Sequence, residues 1–133
     1  MTPPELLDRI RRGRTDLICD LLQLPGWRDL LHEGEVKALQ WCVYYNDVTA
    51  LRAVLAAGGD VTSLDLDSEL RHAAFFGHWK VCDFLLAHGA NVRSTVPETG
   101  ETALHGALAK AGRPYYLYVV RLLVEHGAEV NAR

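Results

Sequence analysis

A chain of 133 residues, 49% hydrophobic and 23% charged, has the make-up of one compact soluble domain rather than of a disordered or fibrous chain. Its net charge of −3, with both signs scattered along the chain, argues against a general nucleic-acid binder, which needs a basic face. No apolar run approaches the roughly 18 residues of a membrane span, and the opening MTPPELLDRIRRG lacks a signal-peptide core, so the expectation is an intracellular, soluble and cytoplasmic protein with no membrane partner.

Residues 4–24 carry two short apolar stripes, Leu6, Leu7 and Ile10, then Leu17, Ile18, Leu21 and Leu22 after Gly13. Each predicts a short helix. The one basic cluster, Arg9, Arg11, Arg12 and Arg14, is diluted by Glu5, Asp8 and Asp16, as on a solvated helix face. Pro25 and Gly26 end this segment. The connector WRDLLHEGE follows, with Trp27, Leu30 and Leu31 expected to pack it down.

The rest of the chain is repetitive. LRAVLAAGGDV at 51–61, CDFLLAHGANV at 82–92 and VRLLVEHGAEV at 120–130 are apolar helical stripes stopped by Gly58, Gly89 and Gly127. Upstream of them, KALQWCVYYND at 37–47, SELRHAAFFGH at 68–78 and TALHGALAKAG at 102–112 also align. Gly58 and Gly89 are 31 positions apart, and Gly89 and Gly127 are 38 apart. Each unit therefore reads as helix, short turn, helix, glycine stop and extended loop. Leu39, Leu70 and Leu104 share one place in the first helix; Leu55, Leu86 and Val124 share one in the second. Neither helix buries its apolar face alone, so stacked neighbours must do it for each other. In LDLDSEL at 64–70, Asp67 or Ser68 is expected to cap the helix that follows.

These motifs resemble the ankyrin repeat. GETALHGAL with VVRLLVEHGAEVNAR is close to the family's T-P-L-H-x-A opening and its L-L-x-x-G-A-x-V-N close. The middle unit keeps AAFFGHWKV and LLAHGANV; the first keeps the apolar skeleton, with YND where the family prefers Gly-His. The resemblance covers residues 36–133. It implies an all-α solenoid of stacked helix-turn-helix units: a degenerate N-terminal capping repeat and connector at 4–35, repeats at 36–66 and 67–99, and a third at 100–133 with an insertion at 111–116 and no C-terminal cap. About eight helices are expected within this single domain, 1–133. An uncapped end invites further repeats, as in a fragment of a longer array, or self-association. In the resembled family, Thr102 and His105 hydrogen-bond locally and hold repeats in register. Gly77 and His78 form the interhelix turn.

Catalytic and metal motifs are absent from the sequence. Six histidines and three cysteines show no C-x-x-C, H-E-x-x-H or comparable pairing, and no G-x-S-x-G or P-loop occurs. Cys19, Cys42 and Cys82, odd in number and widely spaced, read as buried free thiols. His88 and His126 precede terminating glycines, where an imidazole interacts favourably with the helix C-terminus. The expectation is a protein that is not an enzyme and carries no metal or cofactor.

What remains is a surface. In the second repeat, Leu70, Ala73 and Ala74 fall on the stacking side of the first helix, leaving His72, Phe75 and Phe76 toward the concave edge. Trp41, Tyr44 and Tyr45 hold the same three places one repeat earlier. Trp79, and Arg113, Tyr115 and Tyr116 from the insertion, complete a candidate partner-binding set. Aromatic residues with an arginine are the composition of interaction hot spots. The same rings would also serve packing between repeats, and the sequence leaves both readings open. The loops at 62–67 and 93–100 are a second candidate surface; the first is acidic and the second uncharged to acidic, which favours a partner with some basic character. The function expected is non-catalytic recognition of a protein or peptide; the alternative is a structural or regulatory segment of a longer protein with no binding site of its own.

Overall fold

The computed structural model describes residues 1–61, 63–109, 113–114 and 116–128. Every regular element among them is helical, as the repeat pattern requires. They fall into two compact units, Met1–Leu64 and Asp65–Arg133, taken in turn below.

The first unit contains α1 (Pro3–Arg11), a 3-10 turn (Thr15–Leu17) running into α2 (Ile18–Leu21), α3 (Trp27–Leu30), α4 (Ala38–Tyr44) and α5 (Val48–Ala56). Helix α1 starts at its prolines because a first-turn N–H has no intrahelical partner to lose, and Thr2 Oγ1 accepts the Glu5 N–H at 3.3 Å. Its stripe buries Leu6 and Ile10. Helix α1 packs against α4, α2 against α5, and α4 against α5. Ile10, Ile18, Leu21, Leu39, Leu51 and Val54 are fully buried in this core. Thr15 and Asp47 lock it with a polar bond: the buried Thr15 hydroxyl donates to Asp47 Oδ2 at 2.6 Å, while Asp47 Oδ1 accepts the Ala50 N–H at 2.9 Å and so caps α5.

The connector contains α3, a helix beyond the eight of the repeat pattern. Leu31 is buried there, whereas Trp27 and Leu30 are half-buried. Arg28 lies 4.3 Å over the Trp27 ring and donates to the Gly58 carbonyl oxygen at 3.1 Å. Gly59 has no alternative at this place, because a Cβ would meet Val54 at 2.8 Å and Trp27 at 3.1 Å. Cys19 departs from expectation. It is exposed, because on α2 the buried stripe runs through Ile18 and Leu21 and turns Cys19 and Asp20 outward. Cys42 and Cys82 are buried, and burial pushes both thiols up, Cys82 to about 12.

The second unit contains α6 (Leu66–Phe75), α7 (Trp79–Ala87), α8 (Ala103–Leu108) and α9 (Tyr116–Glu125). They pack in two rows, α6 beside α8 and α7 beside α9, with α6 against α7 and α8 against α9. Leu70, Ala73, Ala74, Leu85, Ala107 and Leu123 are fully buried between them. Helix α6 begins two or three residues earlier than Asp67 or Ser68 would set it. Its cap is Asp65, whose Oδ1 accepts the Ser68 N–H at 3.3 Å, and Asp67 instead accepts the Asn91 N–H at 2.7 Å. The interhelix turn needs a left-handed residue, supplied by Gly77 at φ +74°. One repeat earlier Asn46 does the same at φ +59°. Gly58, Gly89 and Gly127 end α5, α7 and α9 at φ +90°, +102° and +100°. Thr102 caps α8, and its N–H donates to His105 Nδ1 at 2.8 Å. In α4 the same device is built from other residues, with the Lys37 N–H donating to Gln40 Oε1 at 2.6 Å.

Of the segment expected as an insertion, residues 111, 112 and 115 lie outside the described residues, as do 129–133. Tyr116 lies within α9 rather than in the insertion.

Candidate functional site

Helix α6 positions its outward residues by turning the inward ones. With Leu70, Ala73 and Ala74 at 0% exposure, His72, Phe75 and Phe76 are left facing away from the core. Phe75 and Phe76 are 42% and 41% exposed, with their rings edge to face at 5.4 Å. Phe76 also stacks on His78 at 5.8 Å. Gly106 of α8 lies beside Phe75, where even a Cβ would stand 3.6 Å from it.

A groove of about 420 Å³ opens between α6, the start of α8 and the loop at 93–102. Phe75, Val96 and Pro97 give it apolar surface, and Arg71, His72, Glu98 and Glu101 give it charge. The loop is a closed turn: the Gly100 N–H donates to Val96 O at 2.7 Å, and the Val96 N–H donates to Glu101 O at 2.8 Å. Arg71 Nη1 donates to Ser94 Oγ at 2.7 Å. His72 Nδ1 stands 3.7 Å from Glu69 Oε1. The Glu69 carboxylate beside it holds His72 above the ordinary imidazole value, with Asp65 adding to it, against burial and Arg71. Glu69 is only 6% exposed, although Ala38 and Ala103 fill its place in the neighbouring repeats.

In the first unit, Trp41, Tyr44 and Tyr45 form a cluster of their own. Ring centroids lie 5.7 Å apart for Trp41 and Tyr44, 6.1 Å for Trp41 and Tyr45, and 5.0 Å for Tyr44 and Tyr45. Tyr44 is half exposed. Tyr45 is tied to α1, its hydroxyl donating to the Arg11 carbonyl oxygen at 2.8 Å. Trp41 lines a second groove of about 300 Å³ with Pro4, Leu7 and Val36.

The remaining members of the sequence-derived set separate from these clusters. Trp79 is carried by α7, in the other helix row, where its ring lies 5.8 Å from that of Tyr118 on α9 and 5.6 Å from Lys80 Nζ. Tyr116 is corrected outright: it is 2% exposed, and its hydroxyl donates to the Phe75 carbonyl oxygen at 2.6 Å. As the first residue of α9, it is turned inward with Val119 and Leu123. Arg113 is exposed, and Tyr115 lies outside the described residues. His88 and His126 are local caps, each Nδ1 donating to the carbonyl oxygen four residues back at 2.8 Å. The sequence did not place Glu69 in the site. Only the alignment of Glu69 with two alanines could have marked it.

Among the described residues, no three His, Cys, Asp or Glu side chains gather to hold a metal ion. No helix of these residues is long and apolar enough to cross a membrane.

Comparison with known proteins matches residues 39–133 to the family model for ankyrin repeats, in three copies. Over 68 residues, 51% of this chain, the sequence is 41% identical to human ankyrin repeat and SOCS box protein 6, and the match spans 15% of that protein's length. Ankyrin repeats are generally non-enzymatic modules that bind other proteins. With repeated helix pairs, glycine stops and a Thr-Ala-Leu-His turn all in place, this chain belongs to the ankyrin-repeat family.

Proposed function

We propose that this chain recognises a protein or peptide partner through the outward face of α6 and the groove beside it, without catalysis. The observation that carries the reading is the pair Phe75 and Phe76, two large rings about two-fifths exposed, set edge to face on a helix whose other side is fully buried. Exposed rings held on a rigid support lose little side-chain entropy on binding. They also match the residue types that dominate binding energy at interfaces. Trp41 and Tyr44 supply a similar surface on the first unit. The alignment of Tyr44-Tyr45-Asn46-Asp47 with Phe75-Phe76-Gly77-His78 repeats the aromatic pair in two of the repeats, while the third has Ala109 and Lys110 there.

Amide-resolved NMR of the chain with peptides selected for binding tests this. Shifts centred on Ser68–Phe76 and Val96–Glu101 support the reading. Shifts centred on Trp79 and Tyr118 would move the site to the opposite helix row and sink it.

The second reading, a segment of a longer protein, draws on the human relative, whose name joins ankyrin repeats to a SOCS box and of which this chain matches 15%. An in-frame coding sequence with further T-P-L-H units beside this one would favour it.

A further inference from the structure

We propose that the groove between α6, the loop at 93–102 and α8 takes an extended segment of a partner protein carrying an arginine or lysine beside an apolar side chain. The inference rests on the reading of this face as the recognition surface and adds the chemistry of what it recognises.

The charges of the groove are unequal in how they are used. Arg71 is committed to Ser94, at 2.7 Å. His72 is committed to Glu69, at 3.7 Å. Glu98 and Glu101 are exposed, line the groove, and form no ion pair among the described residues. The lining holds two carboxylates, one guanidinium and one imidazole, and the guanidinium and imidazole already have partners in Ser94 and Glu69. The two accessible carboxylates are therefore the groove charges open to a cation.

The backbone that carries the carboxylates is held in place. The loop that bears them is closed by the Gly100-to-Val96 and Val96-to-Glu101 backbone bonds, at 2.7 Å and 2.8 Å. A bound partner thus meets a loop whose backbone needs little ordering. Phe75, Val96 and Pro97 lie in the same groove, so the partner's apolar neighbour has a surface to cover. An acidic segment would meet Glu98 and Glu101 with nothing but the already bonded Arg71 and His72 to offset them. That juxtaposition of like charges is unfavourable.

The test presents the immobilised chain with two oriented libraries of ten-residue peptides, one with a fixed central arginine and one with a fixed central glutamate. The variants are Glu98→Gln/Glu101→Gln, whose side chains are exposed, and Phe75→Ser, with folding checked by circular dichroism. The wild type should retain the arginine library about tenfold better, as two exposed charge contacts allow, and the double glutamine variant should bring the two libraries near parity. The preference should shrink at 0.5 M salt. Equal retention by the wild type, a glutamate preference, or an arginine preference untouched by the double variant overturns the proposal. If Phe75→Ser lowers retention of both libraries equally and no arginine preference exists, the basic partner fails while the recognition surface stands. If neither library is retained, or Phe75→Ser changes nothing, the surface itself fails and the proposal with it.

Discussion

The Tyr116 hydroxyl, buried at the start of α9, donates to the carbonyl oxygen of Phe75, the last residue of α6, at 2.6 Å. The last carbonyls of a helix have no intrahelical donor. Here a side chain from the next repeat supplies one, and so fixes the end of α6 from behind while the Phe75 ring points out. The first unit repeats the device: Tyr45 donates to the carbonyl of Arg11, the last residue of α1, at 2.8 Å.

Tyr116→Phe removes that donor and leaves a part-buried carbonyl unsatisfied. The expected loss is about 1 kcal/mol, with the helix content unchanged. Urea denaturation checks it; an unchanged midpoint would show that water replaces the bond.

Asn46 is the one described non-glycine residue with positive φ, at +59°. Asn46→Gly removes the left-handed penalty and restores the residue that Gly77 supplies in the next repeat. A gain of up to about 1 kcal/mol is expected in thermal unfolding, offset in part by the greater freedom of glycine in the unfolded chain.

Glu69 buries a carboxylate where the neighbouring repeats bury alanine. Glu69→Ala should leave stability unchanged or raise it by up to about 1 kcal/mol at pH 8.5. The sign with pH follows from His72, whose folded value is raised by Glu69. Its contribution is fully present below the unfolded imidazole value near 6.5 and fades as pH rises through the folded one. The His72 side chain is 65% exposed, so screening limits that contribution to a few tenths of a kcal/mol. Melting curves at pH 5.5 and 8.5 should therefore show Glu69→Ala faring better at the higher pH.

Cys19 is exposed, while Cys42 and Cys82 are buried with raised thiol values. A thiol reagent under native conditions should modify one cysteine quickly and the other two only on unfolding, as mass spectrometry of the labelled chain would show. Equal labelling of all three would contradict the packing of α4 and α7.

The helix pairs were legible in the sequence because their signals are local. Apolar spacing set the helices, and Gly58, Gly77, Gly89 and Gly127 marked their ends. The buried places of Leu39, Leu70 and Leu104 followed from the repeat itself. Most of the misses are tertiary. Cys19 sits one position from the buried Ile18, and which of the two turns inward depends on the neighbouring helix. Tyr116 falls on the buried stripe three and seven residues before Val119 and Leu123, and is misplaced only by an insertion drawn through residue 116. The cap of α6 moved to Asp65 because Asp67 is drawn to the Asn91 amide 24 residues away, a partner no local pattern announces. For the site, the sequence named His72, Phe75 and Phe76 and the loop at 93–100, but not the groove that joins them. That groove exists because the loop folds back on itself and on α6.

The central claim is that the rings of α6 are displayed for recognition rather than packed for stability. The most direct measurement compares Phe75→Ser/Phe76→Ser with Phe84→Ser, whose ring is 2% exposed, by denaturant unfolding and by retention of the fixed-arginine peptide library. The account predicts that Phe84→Ser costs about 3–5 kcal/mol, as a core ring does, while each α6 ring costs about 1 kcal/mol and the pair abolishes retention. A core-sized loss at each α6 ring with retention unchanged would contradict it.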